Sequence, residues 1–285
     1  MKLCDRRDFD DPEVRTAIRE IVPGLSPEEE LERKYWEYAQ LALFMRAAGA
    51  LREDAKVLAV GAGHEAPLFW LANRVGHVLA TDIYGEGGFA GGEAERSMLD
   101  DPSSFAPYEY RRDRLEVRWM DARSLSLPSD SFDFVFSLSS IEHFGGPREI
   151  ARAAAEIGRV LRPGGHALVV TECFVRNNPL DWPLVQTAIR GATLGRRCGT
   201  ATPRRRVVEV FTPRELEARI VRPSGLRLVE PLDTSLSEET FANVTRLHPD
   251  GRLEPATGSR HPHILLRGHG APWTSVSLAL EKASS

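Results

Sequence analysis

A turn with two glycines lies between two apolar runs and constrains the fold more than any other feature of the chain. The first run, residues 57–60, leads into Gly61 and Gly63, where the missing Cβ lets the backbone turn sharply and approach a ligand. The N–H groups of a following helix can hold polar or anionic atoms. The second run ends at Asp82, about 20 residues beyond the turn, where an acid can bind both hydroxyls of a ribose. The pattern predicts a site for an adenosine-containing cofactor.

The composition indicates a globular protein with a full core. The 285 residues are 42% apolar and 27% charged, and no linker divides them, so we predict one domain over residues 1–285. The net charge of −4 gives no reason to expect a nucleic-acid partner. Three widely spaced cysteines and no apolar run of about 18 residues favour a cytoplasmic location without a membrane segment. The oligomeric state stays open.

Apolar runs and helix-like segments alternate through the first 175 residues. This alternation predicts a doubly wound α/β fold, with a mostly parallel sheet covered on both faces. Strand-like segments near the end of the chain suggest antiparallel strands added to the sheet edge. The strands are expected at 56–60, 77–81, 115–120, 132–138, 166–172, 226–230, 264–267 and 274–281, and the helices at 64–75, 147–161 and 212–221.

Three further segments decorate this core. Residues 1–50 are expected to form a helical extension, because Ser26, Pro27 and Glu29 resemble a capped helix start that would continue to about Ala50. The stretches 84–113 and 175–209 are long for loops of an α/β unit, and such loops often form lids. We expect both insertions to cover the substrate site.

Three motifs distinguish between cofactors that a glycine turn can bind. Asp121 follows the third strand and is next to Ala122, where it can accept a hydrogen bond from an adenine amino group. A P-x-x-x-F-D sequence at 128–133 precedes the fourth strand, and an L-R-P-G-G turn at 161–165 precedes the fifth. In order and spacing, residues 56–174 resemble the class I S-adenosylmethionine-dependent methyltransferases, with a weaker similarity over 211–281. The resemblance implies a seven-stranded sheet with an antiparallel terminal strand.

The resemblance also implies a set of residues that bind S-adenosylmethionine. They are Val60, Gly61, Ala62, Gly63, Asp82, Ile83, Asp121, Ala122, Ser137 and Ser139. The chain departs from the family at Ala59, where an acid is common, and at Glu65, where a third glycine is common. The methionine end of the cofactor is therefore expected to be held differently. One candidate is the Tyr35–Trp36 region, although aromatic residues at helical spacing more often belong to a core.

His143 is the first candidate for a catalytic group. It follows the fourth strand, and a histidine there could remove the proton from an alcohol that receives the methyl group. Glu142 could orient it, and Glu172 follows the fifth strand, which is similar to His–acid pairs in relatives that methylate sugar or natural-product hydroxyls. We therefore predict O-methylation of a small molecule or saccharide, with His143, Glu142 and Glu172 as catalytic residues.

A magnesium ion is an alternative for the same group, because Glu142, His143 and Glu172 could ligate it. His248, His261, His263 and His269 could add ligands, although the segment around His261 fits a surface loop better.

Two other functions remain open from the sequence. An NAD-dependent oxidoreductase would also use Gly61, Gly63 and Asp82, but it leaves Asp121 and the terminal strands without a role. A non-catalytic, methyltransferase-like assembly subunit would explain the missing acid at Ala59.

Overall fold

A ten-stranded sheet forms the centre of the fold. The computed structural model describes residues 1–175, 188, 192, 210–248, 252–255, 263–267 and 271–284. The strands are β1 (Lys56–Val60), β2 (His77–Asp82), β3 (Leu115–Trp119), β4 (Phe132–Leu138), β5 (Leu161–Phe174), β6 (Arg227–Leu228), β7 (Val244–Leu247), β8 (Leu253–Pro255), β9 (Leu265–Arg267) and β10 (Trp273–Glu281).

The order along the sheet is β3-β2-β1-β4-β5-β10-β9-β7-β8, and β6 also pairs with β10. The first five strands run parallel, and β10 runs antiparallel to β5. The doubly wound sheet and its antiparallel C-terminal strand are confirmed. The count of seven strands is too low, because short strands after residue 226 extend the sheet beyond β10.

Two helical layers cover the faces of the sheet. The longer helices are α1 (Pro12–Ile21), α2 (Arg33–Ala47), α3 (Ala66–Ala72) and α5 (Pro147–Val160); the shorter ones are α4 (Ser97–Asp100), α6 (Pro213–Leu216) and α7 (Glu238–Ala242). Side chains alternate along a strand, so Val57 and Ala59 of β1 pack in the core with α1–α3, whereas Leu58 and Val60 pack with α5 and α6. Strands buried on both faces explain the continuous apolar runs in the sequence.

The helix predicted from Ser26 begins seven residues later. The carbonyl oxygen of Ser26 accepts hydrogen bonds from the N–H groups of Glu29 and Glu30, which closes a local turn. The chain is then extended at Glu32, and α2 starts at Arg33. Serine and proline therefore mark a turn here instead of a helix cap, because both residues are common in turns as well.

Other predicted loops, strands and helices differ from the structure to a smaller extent. The segment 84–113 contains α4 and short 3₁₀ turns at Gly87–Phe89, Pro102–Phe105 and Arg112–Arg114 instead of one continuous loop. The L-R-P-G-G turn lies inside β5, at an irregularity in its pairing with β4 where Gly164 has a positive φ of 72°. Helix α6 is extended by a π-helical turn, Glu217–Val221, and by Arg222–Ser224. The predicted insertion at 175–209 lies almost wholly outside the described residues.

The start of the chain joins the sheet beside β10. Leu3 forms an antiparallel bridge with Val276, and the N–H of Cys4 donates to the carbonyl oxygen of Ser275 at 2.8 Å. Helix α2 packs on both β5 and β10, which brings its polar residues to the carboxyl edge of the parallel strands. None of the helices in the described ranges has the length and apolar character that a membrane crossing requires.

Candidate active site

The glycine turn follows β1 and has no room for side chains. Gly61 and Gly63 have positive φ values of 63° and 48°. A Cβ on Gly61 would lie 2.7 Å from the Cβ and Oγ of Ser140, and one on Gly63 would lie 2.6 Å from the carbonyl oxygen of Glu93. Both positions therefore require glycine for conformation and for space.

Asp82 fixes this turn from the end of β2. Its Oδ2 accepts a hydrogen bond from the N–H of Gly63 at 2.9 Å, and its Oδ1 accepts one from the N–H of Ile83 at 2.7 Å. The hydroxyl of Tyr84 also donates to the carbonyl oxygen of Gly63 at 2.8 Å. Burial raises the pKa of Asp82, and the two backbone hydrogen bonds oppose this effect. Since each carboxylate oxygen can accept a second hydrogen bond, the residue can still bind hydroxyl groups.

A cleft of about 160 Å³ opens beside the turn at the carboxyl edge of the parallel strands. This is the edge at which ligands bind in open α/β sheets. The cleft brings together six of the residues predicted from the sequence: Gly61, Asp82, Ile83, Asp121, Ala122 and His143.

Asp121 has a partner that the sequence did not suggest. Its carboxylate accepts hydrogen bonds from the Nε and Nη2 of Arg123 at 2.6–3.0 Å, and these lower the pKa of Asp121. Arg123 itself lines the cleft. Because a carboxylate has about four acceptor positions, Asp121 can still accept a hydrogen bond from an amino group.

Five predicted cofactor-binding residues lie outside the lining of the cleft. Val60 and Ala62 are buried around the glycine turn. The Oγ of buried Ser137 lies 3.3 Å from the Oγ of Ser140. Ser139 donates from its Oγ to Glu37 at 2.8 Å, so its hydroxyl is already used within the protein. The fifth residue, Gly63, donates its N–H to Asp82, which lines the cleft.

His143 is exposed at the wall of the cleft. It ends a short 3₁₀ turn, Ile141–His143, that follows β4. Its ring centroid lies 4.8 Å from that of Phe89, which is 41% exposed. Phe89 belongs to the 84–113 segment, so this segment does reach the candidate base. His143 thus stands at the position where a proton acceptor would meet a ligand in the cleft.

Glu142 and Glu172 lie behind the cleft, in what we call the buried carboxylate cluster together with Glu37. The three side chains are 0–2% exposed. Glu142 accepts from the Oγ1 of Thr171 at 2.8 Å, and Glu172 pairs with Arg33 at 2.6 Å.

The cluster has unusual acid–base properties. Burial raises the pKa of Glu142 and of Glu172, and the negative charges of neighbouring carboxylates in the cluster add to this effect. Arg33 and His143 act in the opposite direction on Glu172, so a charged His143 would stabilise the ionised form of Glu172.

Glu37 is the member of the cluster that the sequence analysis missed. Its Oε1 accepts from Ser139 at 2.8 Å and from Ser275 at 2.6 Å, and Arg33 lies 3.4 Å away. The available signal was a glutamate on the apolar part of a helix, with Arg33 and Lys34 four and three residues before it. Buried charges need such partners, so the spacing predicts an internal ion pair.

Glu65, at the position of the family's third glycine, forms an ion pair with Lys34. Burial raises the pKa of Glu65 to about 7, while Lys34 opposes the change. The Tyr35–Trp36 region is divided: Trp36 is a core residue whose Nε1 donates to Asp8 at 2.7 Å, and Tyr35 is only partly buried. The polar residues beside the turn therefore come from α2 and from Glu65.

A metal site finds no support in the part of the chain that the structure describes. No group of three or more His, Cys, Asp or Glu residues there is arranged to hold a metal ion. Glu142 is held by Thr171 and Glu172 by Arg33, and His248 pairs with Glu254 at 2.5 Å. His261 and His269 lie outside the described residues.

Comparison with known proteins identifies the domain. Residues 58–169 match a family described as a methyltransferase domain. The chain is 31% identical to methyltransferase GfsG of Streptomyces halstedii over 47% of this chain and 42% of that protein. It is 32% identical to the 27-O-demethylrifamycin SV methyltransferase of Amycolatopsis mediterranei over 48% of this chain and 49% of that protein. The chain thus spans about half the length of these relatives, or less.

Solved structures agree on the fold. The YcgJ protein of Bacillus subtilis and the BH2331 protein of Bacillus halodurans each superpose with a TM-score of 0.50 at 17% identity, over 86% of this chain and 99% of theirs. Their fold is that of this chain, and residues 58–169 of the chain match the methyltransferase domain family.

Proposed function

We propose that the protein is a methyltransferase that uses S-adenosylmethionine to methylate a hydroxyl group of a small molecule or saccharide. The observation that carries the proposal is a single cleft in which the glycine turn, Asp82 and the exposed His143 meet. The first two fit the adenosine part of the cofactor, and His143 fits the proton transfer that an alcohol requires.

The residues present fit this cofactor. Asp82 has acceptor capacity left for the ribose hydroxyls, and Asp121 and the backbone at Ala122 can meet the adenine. Glycine at position 61 lets the side chains of Ser140 and Phe144 pack closely against the turn at the cleft wall. When bound, S-adenosylmethionine supplies an electrophilic methyl group at this edge of the sheet.

The protein's own contribution is to position the acceptor and to take its proton. The cleft residues would hold the acceptor oxygen in line with the methyl group, which the cofactor would donate to that oxygen while leaving as S-adenosylhomocysteine. His143 accepts the proton released from the hydroxyl. Holding the reacting atoms in line supplies much of the rate enhancement of such a transfer.

The curated relatives support a natural-product acceptor. The name of the Amycolatopsis mediterranei protein describes a methyltransferase that acts on 27-O-demethylrifamycin SV. Phe89 adds a second argument, because an exposed aromatic ring beside His143 offers an apolar surface to such an acceptor.

A methyl-transfer assay tests the proposal. The protein is incubated with S-adenosylmethionine and a panel of hydroxylated metabolites, and mass spectrometry detects the addition of a methyl group to an oxygen. Calorimetry with S-adenosylmethionine and with NAD measures cofactor choice in parallel. Binding of NAD without binding of S-adenosylmethionine would overturn the proposal. Cofactor binding without turnover on any acceptor class would favour a non-catalytic subunit instead.

A further inference from the structure

The buried carboxylate cluster and its neighbour Glu65 contain more negative than positive charge. Four carboxylates, Glu37, Glu65, Glu142 and Glu172, face two cations, which are Arg33 and Lys34. Lys34 is shared, because it pairs with Glu65 and lies 3.5 Å from the Oε2 of Glu37. Buried carboxylates without full compensation are costly to ionise, so the site favours uptake of a proton or of an additional cation.

Each member of the cluster also has one carboxylate oxygen without a hydrogen-bond donor. These atoms are the Oε2 of Glu37, the Oε1 of Glu142 and the Oε2 of Glu172. Leaving a buried acceptor unsatisfied costs about 1–3 kcal/mol, and more for charged groups. A primary ammonium group carries three N–H donors and one positive charge, which matches the three free acceptors and reduces the charge imbalance.

The cluster lies directly behind the glycine turn. Ser139 donates to Glu37 at 2.8 Å, while the next residue, Ser140, donates to the carbonyl oxygen of Gly61 at 2.9 Å. These two adjacent serines connect the cluster to the glycine turn, and Gly61 of that turn lines the cleft. Ser139 has a positive φ of 47°, which a non-glycine residue rarely adopts. The acid that relatives often carry on β1 is replaced by Ala59, so that strand offers no carboxylate.

We infer that the buried carboxylate cluster binds the primary ammonium group of a ligand that occupies the cleft. The inference rests on the proposed function, and the same chemistry has two sources there. One is the α-amino group of the cofactor, for which Glu37 on α2 would replace the missing acid at position 59. The other is an amino group on the acceptor. In either case the Ser139–Ser140 turn must shift to admit the ammonium group.

Calorimetry with two matched ligands tests the cofactor source. S-adenosylhomocysteine carries the α-amino group, and its desamino analogue, S-adenosyl-4-thiobutyrate, keeps the carboxylate but lacks the amine. The wild-type protein is expected to prefer S-adenosylhomocysteine by about 10- to 100-fold, the range for a charged hydrogen bond. The variant Glu37→Gln is expected to lose most of this preference, while the exposed Glu29→Gln control keeps it.

Affinity for the desamino analogue distinguishes the loss of an ammonium contact from a structural defect in the variant. If Glu37→Gln weakens both ligands equally, the residue has a structural role and the inference fails for the cofactor. Glu142→Gln provides a second variant in case Glu37→Gln does not fold, and its preference is expected to fall in the same way. Thermal unfolding of each variant checks that it is folded during the titration.

Glucosamine and glucose, titrated into protein saturated with S-adenosylhomocysteine, test the acceptor source. A preference for glucosamine of about tenfold that Glu37→Gln removes would assign the cluster to the acceptor. Equal binding within both ligand pairs, in the wild type and in the variants, would overturn the inference while leaving the proposed function intact. Failure of the wild type to bind S-adenosylhomocysteine at all would instead overturn the proposed function and the cofactor assignment with it.

Discussion

The backbone N–H of Gly63 donates to the carboxylate of Asp82 at 2.9 Å, so the last residue of β2 holds the turn that follows β1. The two strands are parallel neighbours in the sheet, and their ends meet at the cleft. One carboxylate therefore supports the shape of the turn and also lines the cleft. Removal of the negative charge of Asp82 should weaken both the glycine turn and the binding of a ligand in the cleft.

We expect Asp82→Asn to lower the affinity for S-adenosylhomocysteine by about 10- to 100-fold, because one oxygen acceptor becomes an amide donor and the charge is lost. Calorimetry measures the effect. The exposed Asp100→Asn serves as the control, since Asp100 lies on α4 and does not line the cleft. Unchanged affinity in Asp82→Asn would contradict the role given to this residue.

His143→Ala should reduce the methyl-transfer rate by about 10²- to 10⁴-fold, which is the usual contribution of a general base. Its affinity for S-adenosylhomocysteine should stay near that of the wild type, because His143 is assigned to the acceptor. His77→Ala is a matched control, since His77 begins β2 at the opposite end from Asp82. Full turnover in His143→Ala would rule out the base assignment.

A packing prediction concerns the helical layer opposite α2. Gly158 lies in α5, and a Cβ at this position would overlap the carbonyl oxygen of Ser224. Alanine in a helix is favoured by about 1 kcal/mol over glycine, but the backbone clash should outweigh this gain. We expect Gly158→Ala to lower the free energy of unfolding by about 1–3 kcal/mol, measured by denaturant titration. Gly91→Ala, with open space around the new Cβ, should change it little. Equal stability of both variants would show that α5 can move away.

The burial of Glu65, which outweighs its ion pair with Lys34, predicts a pH dependence of stability. Burial raises the pKa of Glu65 from an ordinary 4.5 to about 7 in the folded protein. Between these values the folded state keeps a proton that the unfolded chain has lost, so stability falls as the pH rises. The stabilisation is complete below about pH 4.5 and is lost above about pH 7.

Unfolding free energies of Glu65→Gln and the wild type, measured from pH 4.5 to 7.5, test this expectation. The wild type should lose about 1–3 kcal/mol relative to the variant across this range. Glu142 and Glu172 shift in the same direction and remain in both proteins, so only the difference between the two curves is informative. Parallel curves would show that Glu65 keeps an ordinary pKa.

The parallel core could be predicted from the sequence because burial on both faces produces continuous apolar runs. Strands β1 and β4 match their predicted ranges, and β2 ends one residue later than expected. The start of α2 could not be predicted correctly, since serine and proline favour a turn as well as a helix start. Strands β6 and β9 lie within the predicted segments 226–230 and 264–267, whereas β7 and β8, with four and three residues, are too short for a periodic signal.

Part of the candidate site was also visible in the sequence. Gly61, Asp82 and His143 follow strands whose carboxyl ends meet, so the topology brings them together. The contact of Glu37 with Ser275 joins distant parts of the chain and could not be predicted from local spacing. The contact of Arg123 with Asp121 is local, two residues apart, but no helix or strand pattern of the sequence indicates it.

The contact between Glu37 and Ser275 joins residues 238 positions apart in the chain. During synthesis α2 is made long before β10. Glu37 therefore cannot accept the hydrogen bond from Ser275 until β10 has been synthesised. Contacts of such long sequence separation form late and slow the folding of a protein. The buried carboxylate cluster is therefore expected to be the last part of the domain to fold. A ligand that contacts the cluster would bind only the fully folded protein.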